Sequence, residues 1–229
     1  MQPNKTKSLL AAGQAVIGPT IMESWSVAVV RIMAAAGFDY LFLDTEHTSI
    51  GSESLYTLIQ MSLASDITPL VRVVDLSYPL VSRALDMGAQ GIIIPRVETR
   101  EQVEAAVSYV KYPPLGRRGA GGDARYGYQR RPMQQAIAEA NAESMVVVMV
   151  ESERGLENLD DIARTITNEC GKTYGESVGE LRRGIENVEV ACGAPMLMQG
   201  YNNEDIARGI DEHMFRQPLG VVAATTPFN

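Results

Sequence analysis

Phe38-Asp39-Tyr40-Leu41-Phe42-Leu43-Asp44-Thr45-Glu46-His47 is the stretch on which the reading of this chain turns. Tyr40 to Leu43 is a short apolar run with the length of a buried strand. It stops abruptly at Asp44, Glu46 and His47, three groups able to titrate or to ligate. A buried strand that delivers acids and an imidazole at its C-terminal end is how parallel α/β enzymes assemble sites. The competing reading is a polar loop whose Asp caps the following helix. His47 favours a site, because an imidazole needs little tuning to work near neutral pH.

Outward from that stretch, short apolar runs alternate with segments of helical periodicity. Residues 15–19 read as a first strand with a breaker at its end, and 25–36 as a helix stopped by Gly37. After the strand at 40–43, Leu55, Leu58, Ile59 and Leu63 place an apolar stripe on a second helix. Residues 68–73 form the third strand, in which Arg72 is the odd residue. A helix at 80–87 closes on Gly88, and 91–95 form the fourth strand. Thr99 with Gln102 three positions on has the form of a capping box and opens a helix through Val110. Each unit spans roughly 25 residues, the repeat of a βα barrel or a doubly wound sheet.

Residues 111–132 break the rhythm with Tyr112-Pro113-Pro114-Leu115-Gly116-Arg117-Arg118-Gly119-Ala120-Gly121-Gly122. Long loops in compact domains are usually functional or disordered. The loop arginines either neutralise an acidic ligand or lie on a solvated surface. A helix at 133–142 follows, then a buried strand at 145–150 that ends on Glu151. Beyond it the spacing predicts helices at 156–165, 178–191 and 204–212, and strands at 195–198 and 219–224. The total is seven strands where a closed barrel needs eight. The gap falls between Thr165 and Ser177.

The 229 residues suit one large α/β domain, 1–229, and are awkward for two. Apolar content of 45% with 21% charged residues is ordinary for a soluble globule. A formal net charge of −8 with no basic tract argues against nucleic acid as a partner. No apolar run approaches the length of a membrane span, and the first ten residues lack a signal-peptide core, so a cytoplasmic protein is expected. Cys170 and Cys192 form no CxxC pair, which points away from a disulfide framework or a thiolate zinc site. With His47 and His213 the only histidines, a multi-histidine metal site is excluded by count.

The ordered set of motifs resembles the HpcH/HpaI family of class II pyruvate aldolases, relatives of 2-dehydro-3-deoxyglucarate aldolase and 4-hydroxy-2-oxoheptanedioate aldolase. The matching stretches are Gly37-Phe38-Asp39-Tyr40 through Asp44-Thr45-Glu46-His47, then Pro69-Leu70-Val71-Arg72-Val73 and Leu85-Asp86-Met87-Gly88-Ala89-Gln90. They continue with Ile94-Pro95-Arg96-Val97-Glu98-Thr99, Tyr112-Pro113-Pro114-Leu115-Gly116-Arg117-Arg118-Gly119 and Val150-Glu151-Ser152. Together they span roughly residues 10 to 165, and the ordered set is far more specific than any one motif. The resemblance implies a TIM (β/α)8-type barrel, here lacking one strand and the closing C-terminal helix, and a homo-oligomer. It also implies that His47 is the base, Arg72 the charge stabiliser that touches substrate, Asp86 the acid supporting the histidine, and Glu151 one ligand of a divalent metal. Asp44 and Glu46 match the acids beside the base. Met149 sits where relatives usually carry a substrate-binding glutamine.

The implied chemistry suits these residue types. Retro-aldol cleavage of a 4-hydroxy-2-oxo acid removes the C4 hydroxyl proton and leaves a pyruvate enolate, whose charge needs a cation. Carboxylate and water ligands suit Mg²⁺ or Mn²⁺. The alternative route is a lysine Schiff base. Lys5, Lys7, Lys111 and Lys172 are the only lysines, and none ends a predicted strand.

The chain departs from the family most sharply after Glu151. The Gly-Pro-x-Asp-Leu type motif that supplies the second metal ligand is not found. Either a segment is missing, or the metal site is weakened, or an acid such as Asp160, Asp161 or Glu169 joins Glu151. Asp160 and Asp161 fall on a helix, where a solvated face is the default. Arg72 also has a structural reading, an ion pair with Asp44 or Glu46. His213 reads as a surface residue of a terminal helix, and Met149, Met196 and Met198 as core or pocket lining. The expectation is a metal-dependent aldolase giving pyruvate and an aldehyde. The alternatives are a silent member that binds an oxo acid, or a lyase for a related acid or thioester.

Overall fold

The computed structural model describes residues 2–121, 126–128, 131–170 and 201–214. Its centre is a parallel sheet in the order β1-β2-β3-β4-β5, formed by Thr20–Ile21, Tyr40–Asp44, Thr68–Arg72, Gly91–Ile94 and Met145–Val148. The helices are α1 (Lys5–Ala11), α2 (Val27–Ala35), α3 (Ser52–Ala64), α4 (Tyr78–Asp86), α5 (Arg100–Val110), α6 (Met133–Glu143), α7 (Glu153–Glu157) and α8 (Leu159–Cys170). Strand, helix and next parallel strand recur in chain order, so this is part of a TIM-barrel-like fold.

Apolar residues pack on both faces of the sheet, because a parallel strand is covered on both sides. Leu41, Leu43, Val71, Val73, Ile92 and Ile94 meet Leu55, Leu58, Ile59, Val81, Leu85 and Val103 from the helices. The alternate residues Tyr40, Leu70, Ile93 and Val147 form a second cluster with Val16. Each fully buried Leu or Ile contributes about 1.5–3 kcal/mol, so the two clusters together set the strand register. That register puts Asp44 directly opposite Arg72.

The predicted elements hold closely from residue 25 to 150. The capping box is present in full: Thr99 Oγ1 accepts from the Gln102 N–H, and Gln102 Oε1 accepts from the Thr99 N–H at 3.0 Å. The helix expected at 156–165 is two helices, parted at Asn158. Ile162 and Ala163 of α8 are fully buried, and α8 packs against α5.

Two element predictions are corrected. The first strand lies at Thr20–Ile21 rather than 15–19, pairing in the register Thr20↔Phe42. The chain ahead of it already runs beside β2, the Ile17 carbonyl accepting from the Asp39 N–H at 2.7 Å and the Pro19 carbonyl from the Phe42 N–H at 3.0 Å, but Pro19 has no N–H to donate and interrupts the strand. The helix predicted at 204–212 is an antiparallel hairpin of β6 (Tyr201–Ala207) and β7 (Ile210–Met214). Arg208 and Gly209 form its two-residue loop, with Gly209 at φ +76°. A glycine in left-handed backbone is what such a tight turn demands, and it overrides the helical spacing. His213 therefore lies on a strand, with Nδ1 3.0 Å from Asn202 Oδ1. Of the seven predicted strands, five fall on described residues and correspond to β1–β5, and the described residues add this separate hairpin. The predicted helix at 178–191 and strands at 195–198 and 219–224 lie outside the described residues.

Candidate active site

The C-terminal ends of β2, β3 and β4 and the chain just after β5 gather the charged groups. Asp44 is fully buried at the end of β2. It accepts hydrogen bonds from Arg72 Nε at 2.8 Å and Arg72 Nη2 at 2.6 Å, the two-pronged geometry a guanidinium offers a carboxylate. Asp44 Oδ1 also accepts from the Glu46 N–H at 2.9 Å, which fixes the first turn after the strand. Thr45 Oγ1 donates to the Arg72 carbonyl at 2.6 Å and Thr48 Oγ1 to the Asp44 carbonyl at 2.7 Å. The turn that carries His47 is thus pinned to β2 and β3 by short bonds.

Arg72 lies 5.3 Å from the centre of the Phe42 ring, which covers one face of its guanidinium. The hydrogen bonds it donates to Asp44 hold that guanidinium more firmly protonated than usual, against an opposing effect of burial; the charges of Asp44 and Glu151 add to the hold. Arg72 is therefore a fixed positive charge, and Glu151 is close enough to contribute to its field. Glu46, with a side chain 6% exposed, is the hub of the cluster. Arg72 Nη1 lies 3.4 Å from it, His47 Nε2 lies 3.8 Å from it, and Arg96 Nη1 is in contact with it.

Arg96 is the site residue that sequence reasoning passed over, quoting it only inside a motif. It follows β4 in left-handed backbone at φ +53°, which costs a non-glycine residue about 1–2 kcal/mol. Its N–H donates to Glu151 Oε2 at 3.0 Å and its Nη2 donates to the Val74 carbonyl at 2.6 Å. One residue thus ties together chain that follows β2, β3, β4 and β5. The visible signal was a cation placed directly after Ile92-Ile93-Ile94-Pro95 at a strand end; its backbone conformation had none.

The predicted site residues do not all converge. His47, Arg72 and Glu151 come together with Asp44 and Glu46. The His47 side chain is 64% exposed. Asp86 does not support it within this chain: His47 makes no hydrogen bond to Asp86, whose Oδ1 instead accepts from Arg118 Nη2 at 2.8 Å. Arg118 is itself buried and stacks 4.8 Å from the Tyr112 ring, which gives this loop arginine a structural part. Met149 packs with the inner cluster of Val16, Tyr40, Leu70, Ile93 and Val147. Its carbonyl accepts from the Val97 N–H at 2.9 Å.

Lys5, Lys7 and Lys111 sit at the other end of the sheet. Lys5 Nζ lies 3.7 Å from Asp39, just ahead of β2. Lys7 donates to the Ala142 carbonyl, and the buried Lys111 donates to the carbonyls of Asn141 and Ser144, just ahead of β5. Lys172 lies outside the described residues. Glu151 is exposed and could ligate a hard cation, with Oε2 already oriented by the Arg96 N–H. Among the described residues, however, no group of three or more His, Cys, Asp or Glu side chains is placed to hold a metal ion. No described helix is long and apolar enough to cross a membrane.

A parallel βα sheet with acids, arginines and one imidazole at its C-terminal edge defines an α/β-barrel class of protein with a charged site at the strand ends. The chain belongs to the HpcH/HpaI aldolase/citrate lyase family, which matches residues 22–171. It is 35% identical over 159 residues to 2-keto-3-deoxy-L-rhamnonate aldolase of Escherichia coli K12, covering 69% of this chain. The chain spans 59% of the length of that relative. Among solved structures, the HpcH/HpaI aldolase from Desulfitobacterium hafniense DCB-2 is 30% identical with a TM-score of 0.66, over 72% of this chain and 68% of that one. Citrate synthase SbnG is also 30% identical, with a TM-score of 0.63 over 80% and 77% of the two chains. A second family, aldehyde dehydrogenase, matches residues 133–229 and overlaps the first from α6 to the end of α8.

Proposed function

We propose that the protein is a carbon–carbon lyase that reversibly cleaves a 4-hydroxy-2-oxo acid to pyruvate and an aldehyde. The observation that carries this reading is the convergence of His47, Arg72 and Glu151, with Asp44 and Glu46, at one end of the parallel sheet. The imidazole takes the C4 hydroxyl proton, and the C3–C4 bond breaks. Its electron pair moves onto the 2-oxo group as an enolate, and protonation at C3 releases pyruvate. Arg72, held permanently charged, faces the enolate.

We propose a divalent metal, Mg²⁺ or Mn²⁺, as cofactor, with Glu151 the one expected ligand among the described residues. When bound, it supplies positive charge beside the 2-oxo acid. The test is pyruvate release from a 4-hydroxy-2-oxo acid before and after chelation. Loss of activity with chelator and recovery with Mn²⁺ or Mg²⁺ supports the reading; activity indifferent to chelation removes the metal from it. A homo-oligomer in the cytoplasm is proposed on the family likeness and is checked by light scattering and cell fractionation.

A second reading concerns the C-terminal part. The overlapping match to aldehyde dehydrogenases and the antiparallel hairpin β6–β7, where the other paired strands among the described residues are parallel, favour a separate unit there over completion of the barrel. It stands against one domain covering 1–229. Hydrogen exchange distinguishes them: a separate unit opens independently of β1–β5, whereas one domain exchanges residues 201–214 together with the sheet.

A further inference from the structure

Glu46 carries a nearly buried carboxylate with two guanidinium groups in reach, Arg72 and Arg96. Arg72 already commits Nε and Nη2 to Asp44, which leaves Nη1, 3.4 Å from Glu46, as its remaining arm. Arg96 makes the closer contact with Glu46, and its own orientation is fixed by Nη2 on the Val74 carbonyl. The left-handed backbone at Arg96 also aims its N–H at Glu151. Backbone strain kept at a strand end is a mark of function where surrounding bonds maintain it.

We propose that Arg96 is a positioning residue: it takes the closer contact with Glu46, so that Nη1 of Arg72, at 3.4 Å from Glu46, is held loosely enough to turn to the oxo acid. This rests on the oxo-acid reading above and extends it to a residue which that reading does not use. Without the Arg96 guanidinium, Glu46 keeps the His47 ring at 3.8 Å and Arg72 at 3.4 Å, and of these only Arg72 is a permanent cation. A buried carboxylate recruits the nearest cation rather than remain unpaired. Glu46 and the incoming anion then compete for one arm of Arg72, so the loss falls on affinity for the oxo acid more than on the chemical step.

The experiment measures pyruvate binding to the full chain, with Mg²⁺ present, by titration calorimetry on wild type, Arg96→Ala and Arg96→Lys. Arg96→Ala keeps the backbone N–H on Glu151 and removes only the guanidinium. Pyruvate affinity should fall about tenfold or more, as expected for loss of one charge-assisted hydrogen bond. Arg96→Lys should recover part of it, and millimolar guanidinium added to Arg96→Ala should restore more. In a turnover assay the same change should raise KM with little effect on kcat. Wild-type affinity in Arg96→Ala overturns the proposal alone. Equal weakness of the Ala and Lys variants with no guanidinium rescue also overturns it, since only a structural part then remains. Failure of wild type itself to bind pyruvate removes the oxo-acid reading, and the proposal with it.

Discussion

Asp44 and Arg72 face one another in the β2–β3 register, and the same pairing brings their side chains together at 2.8 and 2.6 Å. The pair is both a structural tie and the means by which a guanidinium is held at the site. The two sequence readings of Arg72, ion pair and charge stabiliser, are therefore compatible: Nε and Nη2 serve the first and Nη1 can serve the second.

Removing either partner leaves the other buried and uncompensated. Asp44→Ala and Arg72→Ala should each lower unfolding stability by about 3–5 kcal/mol in urea titrations. Replacing both with leucine should cost clearly less than the sum of the single changes. Strict additivity would show that the pair does not act as a unit.

His47 touches little else, with its contact to Glu46 at 3.8 Å and a mostly exposed ring. His47→Ala should abolish pyruvate release while stability stays within about 0.5 kcal/mol of wild type. An unchanged cleavage rate would refute the base assignment.

Lys5, Lys7 and Lys111 are anchored at the N-terminal side of the sheet, away from the acids and arginines. Borohydride treatment in the presence of pyruvate should leave the intact mass of the protein unaltered. A mass gain from a reduced pyruvate adduct would put the chemistry on a lysine.

Thr99 opens α5 with both bonds of a capping box. Thr99→Ala should destabilise the protein by about 1 kcal/mol with no effect on ligand binding. The readout is the urea midpoint set beside a pyruvate titration.

Burial first, and the Asp39 charge second, raise the Tyr40 phenol above its usual 10.0. The folded state therefore holds this proton more tightly than the unfolded chain does. The stability it contributes is intact below pH about 10 and is lost as pH rises through the folded-state value. Tyr40→Phe should reduce the alkaline loss of stability, followed as ΔG against pH from 9 upward.

The difference between what was readable and what was not follows the range of the interactions. The strands from Tyr40 to Val148 and their helices were legible, because apolar runs of strand length and a capping box act within a few residues. His47 and Glu151 were legible as strand-end groups for the same reason. The Asp86–Arg118 pair was not, since it joins a helix to a loop 32 positions away and leaves no local pattern. Arg96 looked ordinary because its weight lies in a backbone angle and in three contacts 22 to 55 residues distant. At 204–212 local spacing pointed to a helix, and the turn at Arg208–Gly209 made a hairpin of 201–214 instead.

By itself the sequence pointed to a parallel α/β chain resembling the HpcH/HpaI aldolases, with acids, an imidazole and an arginine at strand ends. Hydrophobic periodicity and ordered motifs are properties of neighbouring residues. Only the tertiary structure decided which charges meet: Asp44 with Arg72, Glu46 with Arg96, Glu151 with the Arg96 N–H, and Asp86 with Arg118 rather than His47. The reason is physical: strand register and burial, not sequence distance, determine which carboxylate must find which cation once water is excluded.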